Sequence, residues 1–402
     1  MGVNIPGPNP VRGSVSAERG LAVQRWVSTR KLYLDNLKVI LIAAIIAIHG
    51  VLGYIGSDQL WSYADVQEVT LSPVTEAATF VVAGPFALFV IPLLFMVAGL
   101  LSRRSLARKG AGRFARDRLL RLGVPFFAFV LLLQPLLMYA LYHPLGAAPG
   151  SYWDEFLDEG RLDAGPLWFV GVLLIFSLTY AGWVRLRQQS LVRRSRDITA
   201  VHLALIAAAV APLSFLVRVT YPFGSESGFS DLNLWEWPAC LALFAFGITA
   251  SAKGWLDAVP DQLRRQSRTV TLVTVAALAG FVASVEAFGA AEEHLWGGWH
   301  WPALAFAALE GIVVVFGPVW LLGEAQRHLN REFRWAGPAV SRSAYAAFML
   351  QGFLLIGLAV ALRPVPVTAE VKALVVASGG VTGSFAFAWL LITRVRFIGL
   401  VL

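Results

Sequence analysis

The chain has 402 residues, 57% of them hydrophobic and only 14% charged, with a net charge of +8 and a mean hydropathy of +0.66. A typical soluble domain is about a quarter charged, so this composition excludes a disordered chain and argues against a soluble enzyme; lipid is the solvent for most residues. One cysteine, Cys240, excludes an internal disulfide framework, a thiolate cluster and a zinc ribbon.

Residues 1–30 lack an apolar run and contain Pro6, Pro8 and Pro10. They read as a disordered cytoplasmic tail rather than a signal peptide. Residues 31–402 read as one transmembrane domain. The fold expected is all-α and polytopic, with about ten transmembrane helices at 37–56, 79–101, 122–142, 166–186, 198–219, 235–255, 269–290, 302–323, 338–362 and 370–393. Each meets the roughly 20 apolar residues that a hydrocarbon core requires, and a lipid-facing backbone must satisfy its own hydrogen bonds, which favours helices.

The charges orient the chain. With the N-terminus in the cytoplasm, 29 of the 33 Lys and Arg residues fall on the inner side, leaving Arg161, Arg218, Arg363 and Lys372 outside. Acidic residues run the other way, with 16 outside, 8 inside and Glu310 within a span. This is the positive-inside pattern, and it places both termini in the cytoplasm. The basic surplus is thus mainly a topology signal, and nucleic acid is not an expected partner.

Ionisable groups inside a span are costly and usually functional. Helix 1 begins Tyr33-Leu34-Asp35-Asn36-Leu37-Lys38, and His49 follows eleven positions after Lys38. Eleven steps of ~100° return to within ~20° of the same face, ~16 Å further along the axis. Glu310 lies eight residues after Pro302, at the outer start of helix 8, which puts it ~12 Å deep. His49 and Glu310 could share a depth, and a histidine oriented by a carboxylate is a general-base arrangement. The alternative is that each satisfies a separate buried contact between helices.

The segment after helix 2, Ser102 to Arg121, carries eight cations in twenty residues: Arg103, Arg104, Arg108, Lys109, Arg113, Arg116, Arg118 and Arg121. Arginine forks match phosphate geometry, and anionic lipid headgroups are the competing partner.

Several stretches resemble the integral-membrane acyltransferase family 3. Leu34-Asp35-Asn36-Leu37-Lys38 with His49 is similar to its first helix, which carries a basic residue, ten intervening positions and a histidine. Phe95-Met96-Val97-Ala98-Gly99-Leu100-Leu101-Ser102-Arg103-Arg104 resembles its helix 2 exit. Arg113 to Pro125 and Gly165-Pro166-Leu167-Trp168-Phe169 are similar to the starts of its helices 3 and 4. The likeness is nearest to the branch containing glucan-modifying succinyltransferases.

The resemblance implies transfer of an acyl group, of the acetyl or succinyl class, from cytoplasmic acyl-CoA to a hydroxyl of an extracytoplasmic glycan or lipid. His49 would be catalytic, with Glu310 as its orienting carboxylate. Lys38, Arg103, Arg104, Arg116, Arg118 and Arg121 would hold the donor, whose pantetheine arm would thread a shaft to His49. No metal is implied, and the setting would be a bacterial inner membrane. Pro166 and Gln351 stand where many members have histidines, and Lys38 where arginine is usual.

Other features carry less. Trp61, Tyr63, Tyr152, Trp153, Tyr221, Trp235, Trp237, Trp296, Trp299 and Trp301 fit an interfacial aromatic belt and could also stack on sugars. Asp154 to Asp163 form an acidic outer loop. His294 and His300 have no trusted metal spacing, while His143, His202 and His328 read as structural. Gly379 and Gly383 suit close helix packing, and Cys240 a small hydrophobe. A transporter or flippase is the competing class, suggested by Gly84-Pro85, Pro92 and Gly317-Pro318. A scaffold for cell-envelope enzymes is a third.

Overall fold

The computed structural model describes residues 32–56, 63, 67–142, 164–186, 198–225, 232–285, 287, 291–333 and 337–395. The tail of residues 1–30, His143 and the acidic loop at 154–163 lie outside the described residues. Ten helices among the described residues are long and apolar enough to cross a membrane. The protein is an all-α polytopic membrane protein.

In chain order the helices are α1 (Leu32–Leu52) and α2 (Pro73–Lys109), then α3, which begins at Ala111, and α4, a 3-10 turn Gly165–Leu167 leading into Trp168–Leu186. Then come α5 (Ala200–Thr220), α6 (Trp237–Lys253, preceded by the turn Leu234–Glu236) and α7 (Asp261–Ser284). The last three are α8 (Trp301–His328), α9 (Pro338–Leu362) and α10 (Ala369–Arg394).

The segment expected to be a basic loop is helical. The 37 residues of α2 span roughly 55 Å at 1.5 Å per residue, so this helix outruns the hydrocarbon. Only Gly110 separates it from α3, with φ +77°, a conformation that favours glycine. Arginine and lysine are good helix formers, so charge ends the membrane span without ending the helix. The same effect starts α7 at Asp261, eight residues before the apolar run expected at 269.

α3 is irregular for a local reason. Its α-helical pieces Ala111–Arg118, Val124–Ala128 and Gln134–Tyr142 are joined by π-helical turns at Leu119–Gly123 and Phe129–Leu133. Each π turn ends two residues before a proline, Pro125 or Pro135. A proline supplies no backbone N–H for the helical ladder, and wider turns absorb the mismatch.

α8 lies at the centre, packing on α5, α7, α2 and α1. Val313, Val314, Val315, Val319 and Leu322 on it are fully buried. α1, α9 and α10 pack mutually, and α2 packs along α6. That last contact depends on paired glycines. A Cβ on Gly99 would meet the Phe244 carbonyl oxygen, and one on Gly247 the Met96 carbonyl oxygen, both at 2.2 Å. Lipid tails offer helices no hydrophobic drive to associate, so close backbone approach supplies the contact. Gly99→Ala and Gly247→Ala should each cost ~1–3 kcal/mol by overpacking, read as a lower melting temperature of the purified protein in detergent.

Candidate active site

His49 sits in the last turn of α1, and its Nδ1 lies 3.0 Å from Oε1 of Gln351 on α9. Gln351 is fully buried. With the amide oxygen as acceptor, Nδ1 carries the proton and Nε2 is the basic nitrogen. The contact fixes the orientation of the ring.

Beside the ring is a small cleft of about 10 Å³, the space one water requires. It lies where α1 and α9 end and α10 begins. Its apolar walls are Leu355, Ala359 and Val376, and its polar side chains are His49, Tyr54 and Tyr63. The narrowness has a backbone cause: a Cβ on Gly50 would come within 2.9 Å of the Ala377 Cα, so α1 and α10 nearly touch here.

A polar wall backs the cleft. The Tyr63 hydroxyl donates to Glu68 Oε2 at 2.7 Å, and Lys372 Nζ donates to Glu68 Oε1 at 2.6 Å and to the Arg363 carbonyl at 3.3 Å. Burial pushes the Glu68 carboxyl upward, but hydrogen bonds from Lys372 and Tyr63 outweigh it and hold its pKa below the ordinary value of 4.5.

The cations gather at the opposite end. Gln326 on α8 donates to the Tyr33 hydroxyl of α1 at 3.5 Å and to the Leu256 carbonyl in the α6–α7 connection at 2.9 Å. In that connection Asp257 pairs with Arg104 of α2 at 2.5 Å. Arg118 on α3 donates to Ser102 of α2 at 3.2 Å and lies over the Phe114 ring. So the starts of α1, α3 and α7 and the ends of α2, α6 and α8 share one end, which holds Lys38, Arg103, Arg104, Arg116, Arg118 and Arg121. The surplus is partly spent internally: Asp117 pairs with Lys109 at 2.9 Å and with Arg121 at 3.3 Å. Arg116 is exposed.

A family model described as an acyltransferase domain matches residues 31–393. The chain belongs to this acyltransferase family. Comparison with curated proteins and with solved structures gives no match.

Two expectations for this membrane acyltransferase need correction. The first concerns Glu310, whose carboxylate is held by both terminal nitrogens of Arg218 on α5, at 2.5 and 2.7 Å, with both side chains 2% exposed. A guanidinium buried within the bundle needs a bidentate anion, and Glu310 supplies it. The partner fixing the His49 ring at Nδ1 is Gln351. The second concerns the shaft. On the α1 face from Lys38 to His49, Ile42, Ile45 and Ile46 are at most 5% exposed and packed in the core. That face is closed.

Other side chains find structural places. His294 and His300 stack with ring centroids 3.8 Å apart. His202 completes a capping box with Thr199, and His328 lies 3.4 Å from Glu324. Cys240 is buried. Sequence reading missed the roles of Arg218, Lys372 and Glu68, although a signal existed. Arg218 and Lys372 break the positive-inside pattern, and both turn out to be buried members of ion pairs.

Removing one partner of a buried pair costs ~3–5 kcal/mol. Arg218→Leu and Glu310→Leu should each lower the melting temperature sharply, while the double variant should lose much less than the two losses added. The Glu68 carboxyl, depressed in the folded state, contributes stability that is present above its unfolded pKa and lost as pH falls through the folded one. Thermal melts of the wild type should therefore weaken below about pH 4.5, and Glu68→Gln should flatten that pH dependence.

Proposed function

We propose that this acyltransferase takes an acyl group from acyl-CoA held at the cation-rich end and delivers it to a hydroxyl arriving at the opposite end, with His49 as general base. The observation carrying the reading is His49, held at Nδ1 by Gln351 and lining a cleft at the end away from the cations. By the charge pattern that end is extracytoplasmic.

In this reading Lys38, Arg103, Arg104, Arg116, Arg118 and Arg121 hold the nucleotide phosphates. Ion pairs already occupy Arg104 and Arg121, so the donor would exchange those carboxylates for phosphates. The donor's arm must also part the packing of Ile42, Ile45 and Ile46, which makes donor entry a conformational step. His49 Nε2 then takes the acceptor's proton as the acceptor oxygen attacks the thioester carbonyl. The carbon–sulfur bond breaks, and the proton passes from the imidazolium to the leaving thiolate, so the cycle releases an ester and CoA thiol with no net proton change. No step calls on a metal.

The resemblance in the basic segments favours an acetyl or succinyl donor, a glycan or glycolipid acceptor as in the glucan-modifying branch, and a bacterial inner membrane with both termini cytoplasmic. Membrane lipid is the surrounding partner. Relative to a transporter or flippase, cationic side chains gathered at one end and an oriented histidine near the other favour group transfer.

Thiol release from acetyl- or succinyl-CoA by purified protein in detergent tests this. His49→Ala should lower kcat by ~10²–10⁴, and Gln351→Leu by ~10–100 through loss of ring orientation, each with a melting temperature near wild type. Wild-type turnover in His49→Ala would remove the assignment. The rise in melting temperature caused by the donor should shrink in Arg103→Ala/Arg104→Ala, most clearly at moderate salt.

A further inference from the structure

The turn that opens α6 holds a carboxyl without a counter-ion. Glu236 is 7% exposed, and its side chain makes no hydrogen bond or ion pair among the described residues. The charged groups that act on it are Arg218 and Glu310, and that guanidinium is already committed, since both its terminal nitrogens bond Glu310. The elements packed on α6 bring no other charge to this end among the described residues. α5 offers Arg218 and α8 offers Glu310, while α2 has no charged residue from Ala77 to Ser102 and α4 none from Trp168 to Val184. The remaining titratable neighbour is the buried thiol of Cys240, one turn along α6. Two carboxyls therefore share one cation.

An ionised carboxylate left alone in a buried setting is so costly that the group takes up a positive charge instead, and glutamate is almost never fully buried unless it is paired. The surroundings select the kind of charge. The unpartnered polar atoms on the neighbouring residues are Arg218 Nε and Trp235 Nε1, both N–H donors, and Ser214 Oγ one turn before Arg218 on α5. The rings of Phe223, Trp235 and Phe306 enclose the guanidinium at 4.9, 5.7 and 5.8 Å. A hard cation such as sodium needs a shell of oxygen ligands, and one hydroxyl among N–H donors and aromatic rings does not supply it. A proton needs only the carboxyl oxygen.

We propose that Glu236 is a proton-binding site of the bundle: as a neutral carboxylic acid it leaves Arg218 to Glu310, and when its proton passes to water at this end its carboxylate competes for Arg218 through the free Nε edge. In that step the O–H bond breaks, its electron pair stays on the oxygen, and only hydrogen bonds change besides. Proton occupancy thus decides whether α5 is tied to α8 alone or is drawn toward α6 as well. The site is independent of the acyl-CoA reading, because no donor or acceptor group takes part in it.

The test compares full-length wild type with Glu236→Gln in detergent by infrared difference spectroscopy. At neutral pH the variant should lack a carboxylic-acid carbonyl stretch, and at high pH it should lack a carboxylate stretch instead. Glu236→Gln resembles the neutral acid in shape and charge, so it should melt within a few degrees of the wild type at neutral pH. In Glu310→Gln the guanidinium needs another anion. There the band removed by Glu236→Gln should be that of a carboxylate even at neutral pH, and the double variant should melt lower than Glu310→Gln alone. Loss of a carboxylate stretch from the wild type at neutral pH would overturn the site. So would an equal effect of Glu236→Gln on melting in both backgrounds, or a rise in melting temperature in sodium over choline chloride at equal ionic strength that Glu236→Gln removes. If Glu310→Gln fails to fold, the wild-type spectra and the sodium–choline comparison decide.

Discussion

In a hydrocarbon environment a polar side chain has only the protein to bond with, and three pairings in this molecule follow from that. His49 finds Gln351, Arg218 finds Glu310 and Lys372 finds Glu68. The first two join helices far apart in sequence, and the third ties α10 to the connection before α2, so each pairing also selects which elements are neighbours. Satisfying a buried group and fixing helix registry are here the same event, since a slipped helix would leave a charge unpaired in lipid.

Only one of the three pairings has chemistry to offer. Arg218 and Glu310 neutralise each other in a bidentate contact, and both are spent. Lys372 and Glu68 are likewise matched, and through Tyr63 they stiffen the wall of the cleft. The imidazole is different because its partner is an uncharged amide. Gln351 orients the ring without adding a negative charge beside it. A carboxylate in that position would stabilise the imidazolium and make the ring a stronger base.

Packing decides how much room that chemistry has. Glycine allows α1 to lie against α10 at Gly50 and α2 against α6 at Gly99 and Gly247. Such contacts are stiff, because backbone cannot change rotamer. The cleft inherits the stiffness on its α1–α10 side, while the π turns of α3 give the opposite character to the helix that carries Arg116, Arg118 and Arg121. A histidine on the stiff side near one end and an irregular helix bearing cations at the other suit the proposed donor entry, in which packed side chains are displaced.

Ten spans, the charge asymmetry, His49 and the family resemblance at Lys38–His49 and Phe95–Arg104 were all legible in the chain, because hydropathy, charge and motif spacing are local properties. Helix ends were less so: the segment through Arg103 to Arg121 reads as a loop by charge, yet the backbone stays helical through it, apart from the turn at Gly110. Partnership was not legible at all. Glu310 and His49 can be placed at matching depths by counting residues, but depth does not say which face of α8 looks toward α1 and which toward α5. That rotation is fixed by the sum of contacts around α8, and it turned Glu310 to Arg218 and left the histidine to Gln351. One-dimensional spacing therefore determined which groups are buried in the membrane, and only the packed bundle decided which of them meet, because a helix's azimuth depends on every neighbour it touches.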